Sequence, residues 1–279
     1  MITVNSLIGV SDLHVGCQMG LCPEVAHLDG GGIYQPSVPF QAQLLAWWHE
    51  FWHDWVPMAT EGDAYGVVVN GDIMDGRHHK STTQWTQNLA DQQRAAYELL
   101  APVAELCEGR LWIIRGTEAH TGPNAENEEK LAERLAAIQD DAGNYSRPEL
   151  WKYVGPEENI LTHWSHHIGC TGAAAYETTA VHREFINACI AAGRWGLRAP
   201  DFVIRGHRHA FVKTEVATGN MRGVGLVLPG WQGKTPWVWR LEGGRMGQPQ
   251  FGGAMIRYSS QGEPYSRQQV WTLDRPEVE

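Results

Sequence analysis

The chain has 279 residues, of which 43% are hydrophobic and 19% charged, and a formal net charge of −10 at pH 7. This length and composition exclude a disordered chain, a coiled coil and a small domain that needs disulfides to fold. The negative charge argues against holding duplex nucleic acid by general electrostatics, and no apolar run reaches the roughly 18 residues of a membrane span.

In the first two-thirds of the chain, short Val- and Ile-rich runs alternate with helical patterns. The predicted strands are 6–11, 65–70, 110–115, 159–165 and 201–205, and the predicted helices are 41–56, 84–107, 126–139 and 177–192. Pro102 is expected to kink or divide the second helix. This alternation is typical of βαβ units built on a central sheet.

After residue 210 the pattern changes to short apolar runs between Gly-rich turns, at 224–228, 237–240, 254–258 and 269–273. We expect these runs to be antiparallel strands added to the same domain. The prediction is one α/β domain over residues 1–279, with the motifs at about 5–210 and a β-rich C-terminal third at about 210–275.

Five cysteines (17, 22, 107, 170 and 189) include no C-x-x-C pair, and no signal-peptide pattern opens the chain. We therefore expect free thiols, a cytoplasmic location and no membrane partner. Two other counts stand out, 13 Trp and 13 His. They indicate an unusual core, an aromatic binding surface or a metal site.

Each predicted strand is followed by side chains that bind metal or phosphate. These are Asp12-Leu13-His14, then Gly71-Asp72 with Asp75, then Gly116-Thr117-Glu118-Ala119-His120, then His163 with His166 and His167, then Gly206-His207-Arg208-His209. Open α/β sheets bind ligands at the carboxyl ends of their strands, so five such ends can converge on one site. A single His at a strand end is more often a hydrogen-bonded loop residue. Five clusters of Asp and His together instead indicate a site for Mn, Fe, Zn or Ni.

The order of these motifs resembles that of the calcineurin-like metallophosphoesterases, over roughly residues 5–210. The resemblance implies a four-layer αββα sandwich, in which two mixed β-sheets are flanked by helices and a two-metal centre lies between the sheets. It implies that one cation is bound by Asp12, His14 and His209, and that Asp72 bridges to the second. The second cation is then bound by His207 and by one His of the fourth cluster. His166 is favoured there, and His163 and His167 remain open.

The third motif departs from the family pattern. Members usually have Gly-Asn-His followed by Asp or Glu, where the Asn binds the second cation and the His assists the leaving group. Here the Asn is missing and two extra residues precede His120. His120 is the predicted catalytic His, and Thr117, Glu118 or a water is expected in place of the Asn.

Two divalent cations that share a carboxylate and a water bring the pKa of that water near neutrality, so that hydroxide can attack phosphorus. The resemblance therefore implies a dinuclear phosphoesterase, with Mn²⁺ as the expected cation and Fe, Zn or Ni as alternatives. Its motifs are closer to phosphodiesterase and nuclease-like members, with a nucleotide or nucleic acid as a candidate substrate. The alternative hypothesis is a non-catalytic metal-binding or scaffold protein, which the altered third motif favours.

Asp75, the basic run 77–80 and Arg208 each allow two interpretations. Asp75 either orients a ligand His or forms a turn. The basic run 77–80 and Arg208 either bind substrate phosphate or lie in solvated loops. The acids at 126, 128 and 129 are interpreted as the first turn of a helix. Most Trp residues are expected in the core, and the candidates for stacking on a base are Trp112, Trp164 and Trp231.

His49-Glu50-Phe51-Trp52-His53 matches the H-E-x-x-H signature of zinc proteases on a predicted helix. Composition alone produces this pattern in roughly one chain in twenty. The extended metzincin pattern is absent, because the chain continues Asp54-Trp55-Val56-Pro57. A Trp-rich helix packed on the sheet is the favoured interpretation, and a protease remains a remote alternative.

Overall fold

The structure is a computed structural model that describes residues 4–36, 39–78, 80–156, 159–169, 174–218, 221–240, 247–259 and 263–274. Cys170, and His79 of the basic run, lie outside these ranges. In the described part of the chain, no helix has the length and apolar character needed to cross a membrane.

The strands in chain order are β1 (Ser6–Val10), β2 (Ala26–His27), β3 (Ile33–Tyr34), β4 (Gly66–Asn70), β5 (Leu111–Ile114), β6 (Ser146–Arg147), β7 (Glu149–Val154), β8 (Ile160–Ser165), β9 (Phe202–Arg205), β10 (Val212–Thr218), β11 (Met221–Val227), β12 (Gln250–Tyr258) and β13 (Pro264–Thr272). The helices are α1 (Pro39–Glu50), α2 (Val56–Thr60), α3 (Leu89–Leu106), α4 (Glu118–Thr121), α5 (Glu126–Arg134) and α6 (Glu177–Trp195). A π-helical turn at Phe51–Trp55 joins α1 to α2.

Two mixed sheets form the centre of the molecule. The six-stranded sheet has the order β13-β12-β1-β4-β5-β6, and the five-stranded sheet has the order β10-β11-β9-β8-β7. Parallel pairs hold β1, β4, β5 and β6 together in the first sheet and β8, β9 and β11 in the second. Strands β12, β13, β10 and β7 pair antiparallel at the sheet margins. The C-terminal third thus contributes strands to both sheets.

Side-chain alternation along the strands separates the layers. In β4, Val67 and Val69 pack with the helices α1, α3 and α5, whereas Val68 packs in the cluster shared by the two sheets. On the far side, Val181 and Phe185 of α6 pack against the outer face of the second sheet. The predicted four-layer αββα sandwich is therefore confirmed.

The Trp-rich helix packs on the first sheet as expected. Trp48, Trp52 and Trp55 are buried, and the Trp48 ring meets the Trp231 ring at 5.0 Å between centroids. The three Trp residues proposed to stack on a base are wrong for that role, because Trp112, Trp164 and Trp231 have exposed fractions of only 3%, 1% and 0%. They form part of the core.

Several predicted elements differ from the observed ones. Helix α3 begins at Leu89 because the Asn88 side chain caps it by accepting from the Ala90 N–H, and it continues through Pro102 without dividing. The predicted strand at 237–240 is instead a 3-10 turn at Val238–Arg240, where Trp237 and Trp239 are more than half exposed and bury no sheet face. Strands β7 and β10 were not predicted.

Trp164→Ala is expected to lower the free energy of unfolding by about 3–5 kcal/mol. The Trp164 ring fills the space between the sheets, where a Cβ on Gly9 would approach it to 2.7 Å, and its Nε1–H donates to Thr162 Oγ1 at 2.9 Å. Urea denaturation measures the loss. Trp195→Ala is the control, because that side chain is 79% exposed and its removal should change stability by less than about 0.5 kcal/mol. Equal effects of the two substitutions would contradict this account of the core.

Candidate metal centre

The loops that follow β1, β4, β5, β8, β9 and β11 meet at one edge of the two sheets. Backbone hydrogen bonds join them: the Asp12 N–H donates to the Gly71 carbonyl at 3.0 Å, the Gly206 N–H to His166 at 2.9 Å, and the Trp231 N–H to Asp12 at 2.8 Å. All seven predicted site residues lie at this edge. The loop after β11 was not predicted to take part.

The backbone at this edge is strained. Five of the seven predicted site residues have positive φ angles between 47° and 72°: Asp12, His14, Asp72, His207 and His209. Each such conformation costs about 1–3 kcal/mol for a residue with a side chain, and such residues cluster at functional sites. Two motif glycines are required for close approach, because a Cβ on Gly116 would lie 2.1 Å from Asp72 Oδ1 and one on Gly206 would lie 2.2 Å from Ser11 Oγ.

Asp12, His14 and His209 form the first group of metal-binding side chains. The Nε2 atoms of the two histidines lie 3.2 Å apart, and Asp12 Oδ1 is 3.3 Å from His209 Nε2 and 3.9 Å from His14 Nε2. Asp12 Oδ2 already accepts from Ser11 Oγ at 2.5 Å and from the His207 N–H at 2.9 Å. Oδ1 is buried and accepts no hydrogen bond.

This spacing fits a cation. Ligand atoms about 2.0–2.2 Å from one ion lie roughly 3–3.5 Å from one another. Two of the three separations lie in this range, and the third, 3.9 Å, corresponds to a wider angle between the ligands at the ion. Two imidazole nitrogens and one orphaned carboxylate oxygen form a donor set for Mn, Fe, Zn or Ni.

Asp72, His166 and His207 form the second group, and Asp72 also belongs to a group with His14 and His120. The His166 Nδ1–H donates to the Asn70 carbonyl at 2.6 Å, which directs Nε2 to Asp72 Oδ2 at 3.0 Å. Asp72 therefore connects the second group to the first through His14, which is a member of the first group.

Among the three histidines left open, the structure brings His166 into the site. His163 points to the outer face of the second sheet, where its Nε2 lies 2.9 Å from Glu149 Oε2 and its ring stacks on Trp151. His167 is exposed, with its ring centroid 4.7 Å from that of His207. In the part of the chain that the structure describes, neither belongs to a group of three metal-binding side chains.

The altered third motif places Thr117, and not Glu118, at the centre. The Thr117 N–H donates to Asp72 Oδ1 at 2.7 Å, and its hydroxyl lies 3.0 and 3.1 Å from the two Asp72 oxygens. Glu118 is exposed and begins the short helix α4. That helix carries His120, whose Nδ1–H donates to the Asp75 carbonyl at 2.6 Å. The two extra residues of the motif thus form a turn that returns a His to the site.

The Asp75 carboxylate is buried and contacts two imidazoles, which is more than a residue that only forms a turn would do. Its carboxylate is 1% exposed and lies 3.3 Å from His14 Nδ1 and 3.3 Å from His78 Nε2. Two glutamines that the sequence analysis missed also donate to it, Gln84 at 2.9 Å and Gln232 at 3.3 Å. No local pattern marks either glutamine, because each reaches Asp75 from a separate loop.

The buried carboxylates and imidazoles of the centre shift one another's pKa. Burial opposes a charge on His14 and His166, but the nearby carboxylates of Asp12, Asp72 and Asp75 raise the pKa of both imidazoles to about 10. Burial likewise opposes the carboxylate charges, yet the neighbouring imidazoles hold the pKa of Asp12, Asp72 and Asp75 well below the usual range. Burial lowers the pKa of His120 and of His207 to about 4. In the metal-free centre, the positive charge is therefore carried by the imidazoles of His14 and His166.

Other predicted sites are elsewhere or have structural partners. The His49 and His53 rings are exposed on α1 and the π-helical turn, and neither joins a group of three metal ligands in the described residues. The Arg208 guanidinium donates to the carbonyls of Gly169 and Glu177, so it links a loop to α6. Arg77 lines a cavity of about 340 Å³ that also adjoins His120.

No family model matches the sequence, and a search of curated proteins finds no significant match. Among solved structures the chain is similar to Vps29 from Chaetomium thermophilum, with 11% identity, a TM-score of 0.40 and coverage of 99% of this chain and 100% of that one. A conserved protein from Streptococcus pneumoniae described as a predicted phosphoesterase has 11% identity, a TM-score of 0.34 and coverage of 97% and 100%. SoxB, a sulfate thiohydrolase from Thermus thermophilus, has 13% identity, a TM-score of 0.43 and coverage of 98% and 57%.

The sheet order and the four layers bring the strand ends together, and the Asp and His groups lie at those ends. The chain has the calcineurin-like metallophosphoesterase fold that its motifs predicted.

Proposed function

We propose that the protein is a dinuclear metal-dependent phosphoesterase. The observation that carries the proposal is that Asp72 groups with His166 and His207 and also with His14, which itself belongs to the group with Asp12 and His209. Asp12, His14 and His209 would hold one cation, and His166 and His207 the other, with Asp72 between them. The buried, unpartnered Asp12 Oδ1 supports a cation at the first of these positions.

When bound, such a pair of cations supplies Lewis acidity to a phosphoryl group and brings the pKa of water near neutrality. The chain's own residues orient the ligands. Asp75 lies at His14 Nδ1 and the Asn70 carbonyl accepts from His166 Nδ1, so that both rings present Nε2 to the centre. His120 is the proposed catalytic His: its Nδ1–H is held by the Asp75 carbonyl, which fixes the imidazole ring beside Asp72.

A phosphodiester, such as a nucleotide or a short nucleic acid, is the proposed substrate, and Mn²⁺ the proposed cation. The cavity beside His120 supports a substrate that extends beyond the centre; its wall carries Arg77 and His78 together with the acids Glu118 and Glu126. A cytoplasmic location is part of the proposal. It is supported by the free thiols of Cys17, Cys22, Cys107 and Cys189.

The Mn²⁺-loaded protein is expected to hydrolyse bis-p-nitrophenyl phosphate, to lose this activity in EDTA and to regain it when Mn²⁺ is restored. A panel of mono-, di- and cyclic phosphate esters then ranks the substrates. His53→Ala should keep full activity, because this exposed side chain lies outside the centre. Loss of diester hydrolysis in that variant would contradict the assignment of the site to the Asp and His groups at the strand ends.

One observation favours the second candidate, a non-catalytic metal-binding protein. Thr117, where the family pattern has Asn, directs its N–H and its hydroxyl to Asp72. Full occupancy by two cations without turnover of any ester in the panel would establish this candidate and overturn the phosphoesterase.

A further inference from the structure

A buried carboxylate on α5 joins two of the motif loops. Glu128 is 1% exposed, and its Oε1 accepts from the Ile73 N–H at 3.2 Å while its Oε2 accepts from the Gly116 N–H at 2.7 Å. Ile73 directly follows Asp72 in the second motif, and Gly116 directly precedes Thr117 in the third. One side chain thus fixes the spacing of two loops that leave neighbouring parallel strands.

The cost of burying this group indicates a specific role. An isolated buried carboxylate is strongly unfavourable. Burial and the nearby Asp72 charge raise the pKa of Glu128 to about 7. An apolar side chain would avoid both penalties, and the same helix face does carry Leu131, Ala132 and Leu135. What the carboxylate adds is its two acceptor oxygens, each directed at one loop.

Two successive amides of the third loop are held by two different carboxylates. The Gly116 N–H donates to Glu128, and the Thr117 N–H donates to Asp72 Oδ1 at 2.7 Å. Because the peptide between them is rigid, a shift of Gly116 moves the Thr117 donor away from Asp72. The two loops approach closely here, since a Cβ on Gly116 would lie 2.1 Å from Asp72 Oδ1.

We propose that Glu128 is a positioning residue of the metal centre, which holds Asp72 and Thr117 in the relative position that binds the second cation. The inference rests on the proposed function in so far as it requires a cation at Asp72. Glu128, on a helix further along the sequence, would then hold the altered third motif in place.

Glu129 provides a matched control on the same helix. Its carboxylate also accepts from two backbone amides, those of Tyr145 and Ser146, each at 2.8 Å. These amides lie at β6, outside the described groups of metal-binding side chains. Glu129 is partly exposed and also contacts Ser146 Oγ at 2.6 Å and Arg115 at 3.6 Å. Loss of either carboxylate therefore removes hydrogen bonds to two backbone amides, but only the amides bound by Glu128 belong to the loops of the centre.

Glu128→Gln and Glu129→Gln are to be compared by titration with Mn²⁺ alone, with isothermal calorimetry for affinity and electron paramagnetic resonance for spin-coupled ion pairs. We expect Glu128→Gln to weaken the second Mn²⁺ about 10–100-fold and to diminish the coupled signal. The Gln amide group can accept from only one of the two loops. In the esterase assay, kcat should fall more than KM rises. Glu129→Gln should bind both ions as the wild type does.

Metal-free stability, measured by urea denaturation, separates positioning from folding. With both variants folded in the absence of metal, weakened Mn²⁺ binding only in Glu128→Gln would support the proposal, whereas unchanged Mn²⁺ binding in Glu128→Gln would overturn it. If Glu128→Gln fails to fold, Glu128→Asp keeps the charge but is too short to reach both loops, and the same criteria apply to it. A wild type that binds two Mn²⁺ without turnover would overturn only the proposed function, and one that binds no Mn²⁺ would overturn both.

Discussion

Asp72→Asn is expected to lower kcat/KM for diester hydrolysis by more than about a hundredfold, since substitution of a group that merely orients a ligand costs 10–100-fold. The Asp72 carboxylate accepts from Thr117 on one oxygen and lies 3.0 Å from His166 Nε2 on the other. An amide in its place presents an N–H₂ group to one of these partners and carries no charge to share between two cations. The variant should therefore bind one Mn²⁺ per chain where the wild type binds two.

The measurements are steady-state kinetics with saturating Mn²⁺ and metal analysis after removal of free ions. Asp75→Asn is a comparison with a smaller expected effect. Asp75 contacts His14 and is not itself a proposed ligand, so kcat/KM is expected to fall by about 10–100-fold. Asp140→Asn is the control outside the centre, where the carboxylate only accepts from Ala142 and Asn144 in a surface loop. An Asp72→Asn protein that keeps both ions and its activity would contradict the assignment of Asp72 as the shared ligand.

The strand-end motifs could be predicted from the sequence because their signals are local. A Val-rich run followed at once by Asp or His identifies both a parallel strand and the residue at its carboxyl end. For the fourth motif, period-two alternation already separates two candidates. Thr162 and Trp164 are buried, so His163 between them must face the opposite side of the sheet, and His166 lies beyond the strand end.

The supporting residues could not be predicted in the same way, because they reach the centre from distant parts of the chain. Gln84 and Gln232 are polar residues in loops with no periodic pattern, and only the fold brings them to Asp75. Glu128 is an intermediate case. It was interpreted as an acid of a first helical turn, yet it precedes Leu131, Ala132 and Leu135 by three, four and seven residues, which places it on the buried face of α5. That spacing was a usable signal.

The binding of cations should release protons and should strengthen steeply with pH. In the metal-free protein at pH 7, His14 and His166 are protonated, since Asp12, Asp72 and Asp75 raise their pKa to about 10 against the opposing effect of burial. A cation binds only the neutral imidazole, so both protons must leave. We expect about two protons released per pair of Mn²⁺ ions near pH 7.5, and an affinity of the pair that rises roughly a hundredfold per pH unit.

Calorimetric titration in two buffers with different ionisation enthalpies counts the protons. His120 and His207 should release none, because burial lowers the pKa of each to about 4. Asp75→Asn removes one of the groups that raise the pKa of His14, so proton release should fall from about two toward one. Release close to zero in the wild type at pH 7.5 would contradict the charge state described for the metal-free centre.

The same protons determine how stability depends on pH. The pKa of His14 and His166 is higher in the folded metal-free protein than the usual 6.5, so their contribution to folding is complete below pH 6.5 and is lost as pH rises through about 10. The pKa of Asp12, Asp72 and Asp75 is lowered in the folded protein, so these carboxylates stabilise it above about pH 4, and this stabilisation is lost as the pH falls further. The Tm in EDTA should therefore fall between pH 6.5 and 10, while the rise in Tm produced by Mn²⁺ should grow over that interval, because the ions then displace fewer protons.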